Sequence, residues 1–476
     1  MLPLAAPCHD PIVVRWRLPL LLLAAACGHG EGPAAPREPS SPIAVAPPVT
    51  RAWASAGDAP SLQAPSADSP AQSATPPIAP IAPMAAVGQL RGGHHLEHVF
   101  AMLAQLEDGH RHDDVRVLQY GDSHTASDLG VAVLRKALQA RFGEGGRGFV
   151  PVGRPWKFFG GDGLRTGMDP DFEPTKVKFH PKGQAGTFTG EGACYGLLGV
   201  GVEADKAGAR AWTEVAAPAS RVELAYGSGP QGGSFDVFID GSKTGRIATR
   251  AQESASGFFA FDVPDAPHRV EVRAVGDGQV RVYGMNLGRP SAGVIVDALG
   301  INGAQVFTPL RWSEECFAEQ LRHVSPDLVV LAYGTNEAVD PGLTDAQYER
   351  ALVELLGRVA RASPSASCLL LGPPDLARRA KGQGAGAWKT LPRVLEIIAA
   401  QGRVAEAAGC AFYDQLQAMG GPGSMAQWAS EAEPRGGPDR VHLRRTGYAQ
   451  VATSFATDLM RAYDEWRAQP GPSARR

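Results

Sequence analysis

The chain lacks an excess of either charge, a cysteine-rich framework and any apolar run long enough to cross a bilayer, and each absence narrows what it can be. Its 46 basic and 49 acidic residues leave a formal charge of −3, which offers no footing for nucleic acid or for a polybasic membrane patch. Its six cysteines show no Cys-Xaa-Xaa-Cys spacing and no neighbouring His pair of the kind that holds zinc. Cys8 and Cys27 fall in the N-terminal segment, leaving Cys194, Cys316, Cys368 and Cys410, whose pairing the sequence leaves open. Cys368 and Cys410 each open an apolar run, so buried free thiols are expected there. What is present is a globular composition: 476 residues, 44% hydrophobic and 20% charged, enough for a sizeable core and more than one domain.

The N-terminus sets Arg15 and Arg17 before the apolar run Leu18 to Ala26, followed by Cys27. A basic flank, a short core and small residues spell a secretory signal, too short to span a membrane comfortably. Leu23-Ala24-Ala25-Ala26-Cys27 also resembles a bacterial lipobox, in which Cys27 becomes the lipidated first residue of the mature protein. Its leucine falls one position early, so ordinary cleavage and lipidation both stand. Either route leads outside the cytoplasm, to the cell envelope or the medium. Residues 28–90 are rich in Pro, Ala and Ser and poor in large apolar residues, a composition that reads as an unfolded tether.

From Leu96 the pattern turns α/β. An amphipathic helix through Leu106 precedes an apolar strand at Val115 to Tyr120, and a helix capped by Ser127 or Asp128 follows. The alternation returns with a buried strand at Leu328 to Tyr333, a helix over 345–362, strands at Cys368 to Leu371 and Cys410 to Tyr413, a helix over 391–408 and a terminal helix over 446–466. Strands separated by helices predict a parallel sheet covered on both faces. Between these halves, helical periodicity fades and short alternating runs appear, such as Phe235 to Ile239 and Val280 to Tyr283, with an Asp240-Gly241 hairpin signal. The expected organisation is a signal over 1–27, a linker over 28–90, a core in two parts over 91–171 and 290–468, an inserted β-sandwich over 172–289 projecting from the core's rim, and a tail over 469–476.

Four short blocks carry the chemistry. Gly121-Asp122-Ser123-His124 puts a serine where the Val115 strand ends, a turn that can hold a hydroxyl clear of the sheet. A serine needs a base, and His442 has the best setting of the twelve histidines, with Asp439 three residues before it, close enough in a bent loop to fix the imidazole tautomer. Asn336 follows the strand ending at Tyr333 and would lie on the same rim, its amide a suitable oxyanion donor. Gly303, in Gly300-Ile301-Asn302-Gly303, could offer a backbone N–H at close approach, and Gly300 is its rival in the same loop. Asp122 reads as a loop-fixing acceptor rather than an acid catalyst, and His124 is too close to Ser123 along the chain to serve as its base.

In the order serine, glycine, asparagine, Asp-Xaa-Xaa-His, these blocks resemble the SGNH (GDSL-type) hydrolase family. The resemblance implies a three-layer, flavodoxin-like core with Ser123 as nucleophile, His442 and Asp439 as its partners, and Ser123, Gly303 and Asn336 as the oxyanion hole. No metal or organic cofactor is needed. Where the family usually has leucine after its Gly-Asp-Ser, this chain has His124, as in the branch resembling peptidoglycan and polysaccharide O-acetylesterases. The implied substrate is an acylated carbohydrate. A lipase, a thioesterase or an O-acetyltransferase of the same fold is the alternative, and a non-catalytic glycan-binding lipoprotein is the alternative of another class. The β insertion resembles the carbohydrate-binding-like modules of some such esterases.

Overall fold

A computed structural model describes residues 88–157, 159–177, 193–379 and 388–469. The signal, Cys27 and nearly all of the linker lie outside the described residues. The linker ends slightly earlier than expected, because the backbone N–H of Gln89 already donates to Asp458, 3.0 Å away.

The core is a six-stranded sheet. In chain order its strands are β1 (Leu90–Arg91), β2 (Val115–Gly121), β3 (Val294–Gly300), β4 (Leu328–Ala332), β5 (Ser367–Leu371) and β6 (Ala411–Tyr413). They lie side by side in the order β1-β6-β5-β4-β2-β3. All neighbours are parallel except β1, which pairs antiparallel with β6. The five parallel strands thus run in flavodoxin-like order, with the topological switch between β2 and β4.

Period-two alternation sends neighbouring side chains to opposite faces, and both faces are apolar because both are covered. Val115, Val117, Val296, Val330 and Tyr413 pack with helices Glu97–Glu107, Leu129–Phe142 and Arg445–Arg467. Leu118, Tyr120, Val329, Leu331 and Phe412 pack with helices Glu314–Val324, Asp345–Ala362 and Pro392–Ala408. The α/β three-layer core expected from the alternation is what forms.

The second region is one nine-stranded sheet rather than two separate ones. Its two longest strands, Arg210–Ser228 and Ala255–Ala274, pair antiparallel with register shifts between Asp262 and His268. Pro218 and Pro264 fall within those shifts, where a missing N–H does least harm, and such bulges are how strands turn the corner of a sandwich. The region begins earlier than residue 172. Gly148–Val150 pairs with strand Val280–Gly288, and Leu164–Met168 pairs with Arg210–Ser228. These pieces are too short and too glycine-rich to show alternation.

Nor does this region stand off the rim. Phe149, Val200, Ala225 and Tyr283 from it share one buried cluster with Leu118, Tyr120 and Phe317 of the core. The reason is visible in strand Val280–Gly288, where Val282, Tyr283, Gly284 and Met285 are all buried, so both of its faces need cover. A buried polar network adds to the join. Arg116 donates to Asp297 at 2.7 Å and to Asn286 at 2.6 Å, and the other Asp297 oxygen accepts from the Phe149 N–H at 2.6 Å.

The four cysteines expected to include free thiols form two disulfides, Cys194–Cys316 and Cys368–Cys410. Cys368 sits near the start of β5 and Cys410 just before its neighbour β6, so strand adjacency brings their Cα atoms to 4.9 Å. Apolar surroundings did not distinguish a buried thiol from half of a disulfide.

Candidate active site

β2 delivers Ser123 to the rim. The strand ends at Gly121, and Ser123 opens a single helical turn, Ser123–Ala126, before helix Leu129–Phe142. Asp122 caps the turn by accepting the His124 N–H at 2.9 Å, so it fixes the loop as its residue type suggested. Burial pushes the Asp122 carboxyl up to about 6, against hydrogen bonds from His124 and Thr335. Asp128 was expected as a helix cap and is something else. Its carboxylate is buried and accepts from Arg135 at 2.9 Å and Arg147 at 2.6 Å. Ser127 supplies only a long contact, 3.4 Å, to the Leu129 N–H.

Close approach makes glycine obligatory at Gly300, the last residue of β3. A Cβ there would lie 2.1 Å from the Ala126 N–H, inside the serine's own helical turn. The two rival glycines differ in their surroundings: Gly300 is buried against that turn, whereas Gly303 is exposed in the loop with φ of +82°, a conformation glycine adopts without strain.

His442 and Asp439 meet Ser123 from 319 residues away along the chain. Ser123 Oγ lies 2.8 Å from His442 Nε2, and His442 Nδ1 lies 2.7 Å from Asp439 Oδ2. A carboxylate can only accept, so Nδ1 carries the proton and Nε2 presents its lone pair to the serine hydroxyl. The loop is tied into shape by its own backbone. Asp439 Oδ1 accepts from the N–H groups of Val441 and His442, Gly437 N–H donates to the His442 carbonyl at 2.7 Å, and Arg440 takes φ of +57°. Burial raises the Asp439 carboxyl, but hydrogen bonds from His442 and Val441 outweigh it and hold it below the usual carboxylate range. The His442 and Asp439 side chains are 45% and 49% exposed, so the site opens to solvent.

Asn336 stands on the turn that follows β4. One amide hydrogen donates to the Ala304 carbonyl at 2.9 Å, which fixes the side chain beside the Gly303 loop and leaves the other hydrogen uncommitted. Glu337, left without a role by the sequence, organises this corner. It is fully buried, and its oxygens accept from Val306 N–H at 2.6 Å and Gly334 N–H at 2.9 Å. It therefore ties the Gly303 loop to the Asn336 turn. Burial pushes its carboxyl up to about 8, with the charge of Asp122 adding to the rise.

His124 turns away from Ser123. Its Nδ1 lies 2.9 Å from the Tyr448 hydroxyl, and its ring packs 5.3 Å from that of His442. Burial, with the nearby His442, pushes His124 down to about 3, so it stays neutral beside the other imidazole. Tyr448 was not singled out from the sequence, because a tyrosine at helical spacing reads as core.

The model of the GDSL-like Lipase/Acylhydrolase family matches residues 272–450. That span holds Gly303, Asn336, Asp439 and His442, and the β region separates it from Ser123. No curated protein matches the chain. Among solved structures, a peptidoglycan O-acetylesterase is similar with a TM-score of 0.64 and 24% identity, over 79% of this chain and 100% of its own, a likeness that shows the fold. A family two carbohydrate esterase from Cellvibrio japonicus is matched at a TM-score of 0.26 and 14% identity, over 63% of this chain and 98% of its own.

Proposed function

We propose that this chain, a carboxylic ester hydrolase with a GDSL-like lipase/acylhydrolase domain, is exported and removes O-linked acetyl groups from a carbohydrate of the cell envelope or the medium. The observation that carries the mechanism is the continuous chain from Ser123 Oγ through His442 to Asp439, at 2.8 and 2.7 Å. His442 Nε2 takes the serine proton as Oγ attacks the ester carbonyl. Negative charge developing on the carbonyl oxygen is met by the N–H groups of Ser123 and Gly303 and the free amide hydrogen of Asn336. Asp439 stabilises the imidazolium. His442 then protonates the departing sugar hydroxyl, leaving an acetyl ester on Ser123. Water, deprotonated by His442 in its turn, attacks that ester, and acetate leaves as the proton returns to Ser123.

Two disulfides support an oxidising compartment, in keeping with the signal read at Arg15 to Cys27. A half-exposed His442 suits an ester borne on a polymer, which needs to touch the site without threading a tunnel. Attachment through a lipidated Cys27 would let the linker hold the catalytic domain away from the membrane.

The test is acetate release from O-acetylated peptidoglycan. The wild-type protein should release acetate, and Ser123→Ala and His442→Ala should each fall by about four orders of magnitude or more while remaining folded. Full activity in either variant would refute the mechanism.

A further inference from the structure

Next to the loop that carries Asp439 and His442 stand several cations that, among the described residues, pair with no acid. Strands Ala377–Arg379 and Trp388–Thr390 form an antiparallel ribbon with Arg378 opposite Lys389 and Arg379 opposite Trp388. The ribbon is fastened to the loop, since the Ala377 N–H donates to the Arg440 carbonyl at 3.0 Å. The Arg440 guanidinium lies over the Trp388 ring at 4.0 Å, and that of Arg379 lies 5.2 Å from the same ring. After His442 and Leu443, Arg444 and Arg445 lead into the last helix. Arg378, Arg379, Lys389, Arg444 and Arg445 are exposed, and Arg440 is half-buried.

Among the described residues, none of these six has an ion-pair partner. Arg435, before the same loop, is by contrast paired with Glu431. The acids nearby are committed elsewhere. Asp439 holds His442, Glu431 holds Arg435, and buried Asp375 accepts from Met425 N–H and Ser424. Among the described residues, exposed Glu433 pairs with none of the six, in a chain whose overall charge is −3. Arg444 and Arg445 also sit where a helix macrodipole disfavours positive charge, with no acidic residue in the first turn to offset them. Unpaired cations kept at a helix start and beside a reactive loop cost stability and are suited to a ligand.

We propose that this collar is a subsite for an anionic glycan: the acyl ester reaching Ser123 is borne on a polymer whose neighbouring units carry carboxylate or phosphate groups, held by Arg378, Arg379, Lys389, Arg444 and Arg445. It rests on the esterase reading for its substrate, and a binding assay separates the two. In the Ser123→Ala protein, which cannot turn substrate over, affinity electrophoresis should show retardation by acetylated polygalacturonate (carboxylate) or acetylated dextran phosphate, and not by neutral acetylated dextran. Adding Arg378→Gln, Lys389→Gln and Arg444→Gln should weaken that binding about tenfold, whereas the same positions changed to Lys or Arg should keep it. Preference between the two anionic polymers assigns the charged group. With the active protein, the anionic-to-neutral ratio of acetate release should fall about tenfold on the same triple substitution. It should also shrink as salt rises, because screening shortens from about 30 Å at 0.01 M to about 8 Å at 0.15 M. Unchanged binding in the triple variant, equal weakening for the neutral polymer, or a loss seen only with anionic phospholipid vesicles would overturn the collar. Failure of the wild type to release acetate from any polymer or from a small aryl acetate would instead overturn the esterase reading, leaving the binding result to stand.

Discussion

The α/β core and the nine-stranded β region place their polar residues differently. In the core, besides surface ion pairs such as Arg361 on Glu314, a set of them meets at the ends of parallel strands, where Ser123, Asn336 and the Gly303 loop share one rim. In the β region they pair with one another along the sheet, as Arg246 does with Asp236 and Arg273 with Glu271. Yet the two regions share a hydrophobic cluster and the buried Arg116–Asp297–Asn286 network. The contrast teaches that the β region, though it carries none of the four blocks, is structurally part of the same body as the core.

The largest effect that could break this comparison is on stability. Asp297→Ala strands the Arg116 guanidinium and the Phe149 N–H, and should cost about 3–5 kcal/mol in urea unfolding, with core and β-region probes melting together. Two separate transitions would mean that the β region is an independent appendage. Next in size, Asn336→Ala should lower kcat on a small ester about a hundred- to a thousandfold with little change in the unfolding midpoint, which would place its role in chemistry alone. A pH-dependent effect concerns Glu337. Its folded-state pKa, about 8, is raised above an unfolded value near ~4.3, so between these values the folded state binds the extra proton and stability falls as pH rises. Glu337→Gln should therefore flatten the decline in unfolding free energy between pH 5 and pH 8. An unaltered slope would remove Glu337 from the pH response.

Much of the core was legible because its strands and helices obey their own periods. The helix over 345–362 was placed to the residue, the strand at Val115 was marked by its β-branched and apolar residues, and that at Leu328 by an unbroken apolar run. Asp240-Gly241 signalled its hairpin, with both residues at positive φ. The β region's edges were not legible, since Gly148–Val150 owes its strand to pairing with a distant partner. The long strands were hidden by Pro218, Pro264 and Pro267, which break local propensity and are absorbed by bulges. At the site, Ser123, His442 and Asp439, which the structure brings together, were named from their types and order. Of the residues that support them, Asp122 was legible from its type, whereas Glu337 and Tyr448 were not, because they work through burial and contacts that only the fold creates.

The central claim is that Ser123 is a nucleophile activated by His442. Reaction with a fluorophosphonate, read by intact and peptide mass spectrometry, tests it most directly. The account predicts a single adduct on Ser123 in the wild type, slowed by orders of magnitude in His442→Ala. An unlabelled protein, or an adduct on another residue, would contradict it.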